Sequence, residues 1–382
     1  MHLWFLCSGR VFVASCIWIA KLVCDLSNFK KVLAVCGACI GLYIGSGFAS
    51  MQEVLQYEAS YGSMFWVVIA VTAIVYLYTN LSFSINGAKN EIKRGGDIYG
   101  VYCGKIIGGF YDWFAALFCY MSFVVMLGGA NSTAMQQWGL PNGVGAVILA
   151  FAAVVTVVYG LENIVKVLSF LGPLIIVFLL AIVGYSSIFG SMGFVDGSSA
   201  IDSNVFDVVQ IGGGNPLASG ASYAGFVILW FAAFLGELGA REQLKDVKRG
   251  MLLSSLFIFG TAALCCVALI SNIDLVWDAP IPTLVLANRM SPFLGLIFAV
   301  VIFVGIYTSA VPLLWTGVKR MAVEGTSRYK CVVILGGVIG CIIACLVPYA
   351  PLLNVLYGLN GYLGFALMAF MVIHDVRSLV QK

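Results

Sequence analysis

Long apolar segments, separated by short stretches that carry charges, glycine or proline, run through almost the whole chain. A helix needs about 20 apolar residues to cross the ~30 Å hydrocarbon core of a bilayer, whereas the strands of a membrane barrel alternate polar and apolar positions. The unbroken runs therefore predict an all-α integral membrane protein, because helices satisfy their own backbone groups in lipid. About ten transmembrane helices are expected, over residues 32–58, 63–89, 109–135, 144–159, 165–189, 222–240, 249–271, 291–318, 329–349 and 352–376.

Composition supports a membrane protein and argues against other classes. Of the 382 residues, 62% are hydrophobic and only 10% are charged, whereas soluble domains are about a quarter charged. The net charge of +3 comes from scattered loop residues, so a nucleic-acid partner is not expected. Most of the 12 cysteines lie inside apolar runs, where a thiol packs as a small apolar side chain. Cys36 and Cys39 have CxxC spacing, but no histidine or second cysteine pair accompanies them.

The positions of the basic residues orient the predicted helices. Lys and Arg collect in the cytoplasmic loops of membrane proteins. Most of the 20 basic residues fall in alternate loops, such as 89–105, 241–249 and 319–330. The intervening segment 190–220 contains aspartates and no base. We therefore expect a multi-pass protein of the cell (plasma) membrane, with the N- and C-terminal ends of its core in the cytoplasm.

Five predicted helices precede the long external loop and five follow it. An odd number of helices turns the second half upside down relative to the first, so a 5+5 inverted repeat is predicted. Secondary transporters of this architecture bind substrate near the bilayer midplane, where discontinuous helices meet. The chain is expected to consist of an N-terminal extension with a candidate extra helix at 1–28, a transporter core at 29–376 and a cytoplasmic tail at 377–382. Within the core, a first repeat at 32–189 is followed by an external loop at 190–221 and a second repeat at 222–376.

The first helix contains two glycines around a serine, Gly45, Ser46 and Gly47, halfway along its apolar run. Each glycine costs about 1 kcal/mol relative to alanine in a helix, so the helix opens comparatively easily here. An opening would free carbonyls of residues 41–44 for a cation and amides near Gly47 and Phe48 for an anion, through the dipoles of the two half-helices. A second interpretation stays open, because glycines spaced four apart also let membrane helices pack closely.

The eighth helix carries Gly305, Thr308, Ser309 and Pro312 within about two turns. Pro312 has no amide to donate to the carbonyl four residues back, so that carbonyl and the two hydroxyls are candidate oxygen ligands for a hard cation. In the alternative interpretation, both hydroxyls bond back to their own helix and the proline only bends it.

In residues 45–53, in the basic stretch after helix six and in residues 307–311, the sequence resembles the YkvI-like amino-acid permease family, which is grouped with the LeuT-fold, APC-type secondary transporters. The similarity spans about residues 29–376. It implies a discontinuous helix one and an interruption of helix six, for which 230–236 is the candidate stretch. Pro312 departs from the family pattern, and helix six lacks an obvious Gly-x-Gly. The resemblance also implies a sodium site on Gly41, Ile44, Gly305, Thr308 and Ser309.

Acidic residues inside the predicted helices are candidates for function, because charge is costly in a membrane. Glu53 lies about 12 Å beyond the glycine pair by helical rise and is the candidate for gating or proton coupling. Glu237 precedes Arg241 by four residues, which predicts an ion pair at the membrane interface. Asp112, at the start of helix three, is expected to reach the cytoplasmic surface.

These features predict a secondary active transporter, a cation-coupled symporter of a small amino acid or related zwitterion. Sodium is the expected monovalent ion because the candidate ligands are neutral, whereas calcium and magnesium usually require carboxylates. Apart from sodium and the lipid bilayer, no cofactor or further partner is expected, and the oligomeric state stays open. The substrate is expected to meet the opening in helix one and two aromatic side chains, that is Gly45, Ser46, Gly47, Phe48, Tyr120 and Trp230.

Three other functions are alternatives to sodium symport. A proton-coupled permease would use Glu53 as its titratable group, and a membrane sensor or channel can be built on the same fold. An enzyme is not expected, because the histidines are His2 and His374 at opposite ends of the chain and no HExxH motif occurs.

Overall fold

The computed structural model describes residues 29–44, 46–159 and 164–380, so the predicted extension at 1–28 lies outside the described residues. Every regular element in these ranges is helical. A short 3-10 segment, Ala59–Met64, leads into the fourth helix. The α-helices are α1 Phe29–Tyr43, α2 Ser46–Ala49, α3 Gln52–Tyr57, α4 Phe65–Lys89, α5 Asp97–Trp138, α6 Val144–Tyr159, α7 Ile164–Ile188, α8 Phe194–Asp202, α9 Pro216–Arg241, α10 Leu244–Ile270, α11 Ile273–Val276, α12 Pro282–Met290, α13 Pro292–Lys319, α14 Ser327–Leu346 and α15 Tyr349–Val380.

Seven stretches of the described chain are long and apolar enough to cross a membrane. They are Ala59–Lys89, Asp97–Trp138, Pro216–Arg241, Leu244–Ile270, Pro292–Lys319, Ser327–Leu346 and Tyr349–Ser378. Two shorter apolar helical stretches accompany them, α6 and Pro173–Ile188 within α7. Large apolar side chains such as Phe151, Phe293 and Leu335 are exposed on the outer faces, which suits contact with hydrocarbon.

Helices from the two halves of the chain pack against each other. α1 lies against α10, α9 lies against α4, and α5 lies against α13, while α9 also packs against α15 within its own half. Glycines let these helices approach closely, because a side chain at Gly87 on α4 would clash with the backbone of Gly236 on α9. A side chain at Gly225 on α9 would likewise clash with the backbone of Gly361 on α15. The helix that contains Trp230 is therefore fixed on two sides.

The segment predicted at 32–58, with an opening expected at its glycine pair, consists of three helices. α1 ends at Tyr43, and α2 is a single turn that begins at Ser46. The chain bends again at Met51, whose φ of 62° is left-handed, before α3 begins at Gln52. Gly45, in the first interruption, lies outside the described residues. The two interruptions enclose the Ser46–Ala49 turn and leave backbone groups outside regular helix pairing.

Helix six does not have the interruption that was expected at 230–236, because α9 is one continuous helix. It also begins six residues earlier than predicted, since the Asn215 side chain accepts hydrogen bonds from the amides of Leu217 and Ala218 at 2.9 and 3.4 Å. The predicted external loop at 190–221 thus contains α8 and the start of α9. At the other end of the chain, α15 continues to Val380 and includes most of the predicted tail.

Candidate functional site

A cavity of about 70 Å³ lies between the broken first segment and the helices around it. We call it the central cavity. It is lined by residues of α1, α2, α3, α5, α9, α13 and α15, among them Leu42, Gly47, Glu53, Tyr223, Trp230 and Ser309. A single water-sized position needs about 10–15 Å³ of such volume, so the central cavity has room for roughly five heavy atoms. Gly47, Phe48 and Trp230, three of the predicted substrate contacts, all line it.

The end of α1 is held by Trp230. The indole Nε1 donates a hydrogen bond to the Leu42 carbonyl at 3.0 Å. This carbonyl lies in the last turn of α1, where the interruption removes the usual amide donors. The indole ring packs edge-on against Phe118, with ring centroids 5.2 Å apart. Trp230 therefore lines the central cavity with its ring while its polar atom stabilises the broken helix.

The short helix α2 is held by α12. The Thr283 hydroxyl donates to the Ala49 carbonyl at 2.7 Å, and the Thr283 amide donates to the Ser50 carbonyl at 3.2 Å. The Ser50 hydroxyl donates to the Gly47 carbonyl at 2.7 Å and lies 3.5 Å from the Tyr349 hydroxyl on α15. α2 is thus anchored to two helices other than its own chain neighbours. Of Ser46, its first residue, only the backbone is described.

Three oxygen atoms of the predicted sodium site come together on α13. The hydroxyls of Thr308 and Ser309 donate to the Gly305 carbonyl at 2.8 and 3.1 Å. This is the bonding back to the helix that was weighed as the alternative, but each hydroxyl oxygen keeps lone pairs that can face a cation. α2 packs against α13, and Gly47 and Phe48 on α2 line the same cavity as Ser309. The other two predicted ligands are Gly41, in the last turn of α1, and Ile44, directly after it.

Glu53 points its carboxylate into the central cavity. The residue is only 7% exposed, and its Oε2 accepts a hydrogen bond from the Tyr223 hydroxyl at 3.1 Å. The other oxygen, Oε1, lies directly over Gly47, because a Cβ added to Gly47 would clash with it. The Tyr223 ring in turn stacks on Tyr57, with centroids 4.9 Å apart. The carboxylate is therefore placed across the break of the first segment by α9.

Glu58 is a second buried acid that the sequence analysis missed. It is 0% exposed, and its Oε2 lies 3.5 Å from the Cys266 thiol on α10. Glu58 ends the first predicted helix at 32–58, and no role was predicted for it. The following segment 59–62 contains no charge, and this absence was the signal that the chain stays inside the protein.

Two other predictions do not match the structure. Tyr120 does not reach the central cavity, because its hydroxyl donates to the Gly336 carbonyl on α14 at 2.9 Å and its ring borders an apolar groove between α5, α13 and α14. Asp112 does not reach the surface either. It is 9% exposed and binds two guanidinium groups, Arg94 at 2.9 Å and Arg320. The predicted ion pair between Glu237 and Arg241 is present.

Relatives of the chain occur in Bacillus subtilis (strain 168), although no family profile matches it. The chain is 25% identical over 338 residues to the uncharacterized membrane protein YkvI, an alignment that covers 86% of this chain and 91% of YkvI. It is 23% identical over 355 residues to the uncharacterized protein YyaD, with coverage of 89% and 95%. These relatives agree with the resemblance found in the motifs, and their names state no substrate.

Solved structures of the manganese transporter of Eremococcus coleocola have a similar fold. Two mutant forms of that protein superpose on the chain with TM-scores of 0.57 and 0.56, and each is 15% identical to it. Each alignment covers 92% of this chain and 80% of the transporter. The chain therefore has the helical fold of a membrane transporter.

Proposed function

We propose that the protein is a secondary transporter whose substrate binds in the central cavity. The observation that carries the proposal is the interruption after Tyr43, which borders a cavity lined by helices of both halves. Interrupted helices at a substrate site are a recurring feature of secondary transporters, because freed backbone groups and half-helix dipoles there can bind ions and polar substrates.

An inverted 5+5 arrangement of ten membrane segments fits the way the halves pack. In such a repeat, the first segment of each half has an equivalent environment. α1 lies against α10, the second long helix of the second half, and α9 lies against α4, the second membrane segment of the first half. This reciprocal packing supports the arrangement, in which α1 to α3 form one segment and each of the other long helices forms another.

We propose sodium as the coupling ion, bound by Gly41, Ile44, Gly305, Thr308 and Ser309. None of these residues is acidic, and a site of neutral oxygens suits a monovalent cation better than calcium or magnesium. The gathered oxygens of Gly305, Thr308 and Ser309 support the α13 half of the site. A sodium ion shared between α1 and α13 would link ion occupancy to the shape of the central cavity.

The proposed substrate is a small amino acid or related zwitterion, with its polar groups at the break of the first segment and its side chain against Trp230. The volume of about 70 Å³ supports a compound with few heavy atoms. The described residues contain no group of three or more His, Cys, Asp or Glu side chains suited to a metal ion. We therefore do not extend manganese from the structural neighbour to this chain.

Proton coupling through Glu53 is the second candidate mechanism. It is favoured by the position of the Glu53 carboxylate, which is buried and borders the central cavity. Carboxyl groups in such positions serve as proton carriers in other membrane transporters. At fixed pH, substrate binding should depend on sodium in a sodium-coupled transporter and should be independent of sodium in a proton-coupled one.

A thermal-shift screen of the purified protein tests the proposal. Small amino acids are added one at a time with sodium chloride or with potassium chloride at equal ionic strength. We expect at least one to raise the melting temperature, and to bind about 5- to 150-fold more tightly with sodium, because coupling between two sites is reciprocal. Binding that depends on pH and not on sodium would show that the coupling ion is a proton and not sodium.

A further inference from the structure

The charge of the central cavity differs from what a simple zwitterion site would need. Among the described residues that line it, Glu53 is the only one with an ionisable acid or base, apart from tyrosines. The remaining polar lining consists of hydroxyls such as Ser122 and Ser309, the Tyr223 phenol and the Trp230 indole. A positively charged substrate would neutralise the negative charge of this lining, whereas a substrate with only a negative charge would be repelled by it.

The position of the Glu53 carboxylate also bears on which charged groups a substrate can carry. Glu53 Oε1 lies over Gly47, at the break where the sequence analysis expected the carboxylate of the substrate to meet backbone amides. The Tyr223 hydroxyl holds the second oxygen, so the carboxylate is positioned by α9 as well as by its own helix. Two carboxylates at one site disfavour each other. A substrate carboxylate beside Gly47 would therefore have to displace the one that the protein already supplies.

The aromatic lining is compatible with a cation in the same place. Phe226 and Trp230 lie side by side on α9, with ring centroids 5.9 Å apart, and both border the central cavity. The faces of such rings attract ammonium groups through their quadrupoles. Carboxylate, phenol and indole thus surround one small volume with groups that favour positive charge.

We propose that Glu53 is the counter-ion of the ammonium group of the substrate, and that the site requires the ammonium group but not a carboxylate. This inference rests on the proposed transport function and names the substrate class more narrowly, as a small amine or an amino acid recognised through its amine. No bond is made or broken. The ammonium group forms a charge-assisted hydrogen bond with Glu53 and leaves with the substrate.

The test compares three compounds that share a carbon chain: an amino acid, the amine that lacks its carboxylate, and the acid that lacks its amine. Suitable sets are alanine, ethylamine and propionate, or glycine, methylamine and acetate. Dissociation constants are measured by calorimetry on the purified protein in sodium buffer. We expect the amine to bind within tenfold of the amino acid, and the acid to bind at least 100-fold more weakly than either.

Glu53→Gln removes the charge and keeps the shape, and we expect it to weaken binding of the amine and the amino acid at least tenfold. Glu237→Gln removes an acid of the same type on α9 outside the central cavity and should leave all affinities unchanged. Should Glu53→Gln fail to fold, Glu53→Asp keeps the charge on a shorter side chain. It should retain the preference for the amine over the acid, with lower affinity.

Three outcomes overturn the proposal. Tight binding of the amino acid with no binding of the amine would show that the carboxylate is required; transport would stand and the role of Glu53 as a counter-ion would fall. Unchanged amine affinity in Glu53→Gln would have the same meaning. Absence of binding by all compounds in both sets would instead overturn the proposed substrate class together with the counter-ion.

Discussion

Adding one methyl group to Gly47 tests the geometry of the central cavity. A Cβ at this position would clash with Glu53 Oε1 and lie 3.7 Å from the Met126 methyl group, so the carboxylate is the group that has to move. Movement weakens the hydrogen bond from Tyr223, which is 3.1 Å long. A hydrogen bond to a charged group contributes about 1.5–3 kcal/mol, and each 1.4 kcal/mol is about tenfold in affinity. We therefore expect Gly47→Ala to weaken substrate binding about 10- to 100-fold.

The measurement is calorimetry with whichever small amino acid or amine gives the largest thermal shift. Gly37→Ala is the matched control, because Gly37 is exposed on α1 and an added Cβ there meets nothing within 4 Å. This control should keep its affinity and gain about 1 kcal/mol of stability from the better helix former. Gly47→Leu should bind no ligand while staying folded. Wild-type affinity in Gly47→Ala would refute the geometry and leave Gly47 with a role in packing only.

Three further predictions concern orientation, the ion and the broken helix. A reporter fused after residue 382 should be cytoplasmic and one inserted at Ser203 external, and the opposite result would overturn the inverted repeat. Thr308→Ala combined with Ser309→Ala should abolish the effect of sodium on substrate affinity and leave weak binding; sodium dependence that survives would place the ion elsewhere. Trp230→Phe should lower the free energy of unfolding by about 1–3 kcal/mol, because it leaves the carbonyl at the end of α1 without its donor, and wild-type stability would show that the bond is dispensable.

The positions of the helices could be predicted largely from hydropathy. α6 coincides with the segment predicted at 144–159, because the apolar run is bounded by glycine on either side, and Pro141 and Gly143 form the turn before it. The first six residues of α9 were not predicted as helix, because the strongly apolar segment begins later than the helix does. Asn215 followed by Pro216 is a helix-start signal independent of hydropathy, since asparagine caps amides and proline fits the first turn.

The direction in which each side chain points could not be predicted as well. Tyr120 was predicted as a substrate contact because it is an aromatic residue in a predicted membrane helix, but residue type does not say which face of a helix meets the cavity. The structure turns Tyr120 toward α14. Asp112 similarly meets Arg94 and Arg320, which are far from it in sequence and are brought together only by packing.

Of the two bends in the broken first segment, only one could be predicted from the sequence. Glycines at 45 and 47 predicted an opening, because glycine lowers helix stability. The second bend, at Met51, has no such signal, since methionine is an ordinary helix former and its left-handed φ of 62° is imposed by the surroundings. That bend sets the direction of α3 and hence the position of Glu53 over Gly47. A straight helix would have carried Glu53 about 12 Å beyond the break.

Uptake by proteoliposomes tests the central claim, that a cation gradient drives a substrate through this protein. Vesicles with purified protein are given a radiolabelled small amino acid or amine and an inward sodium gradient at equal pH on both sides. We expect accumulation above the external concentration, which collapses when potassium replaces sodium and is absent in the combined Thr308→Ala and Ser309→Ala variant. Accumulation driven by a pH gradient and indifferent to sodium would contradict sodium coupling, and equilibration that no gradient can drive further would contradict active transport itself.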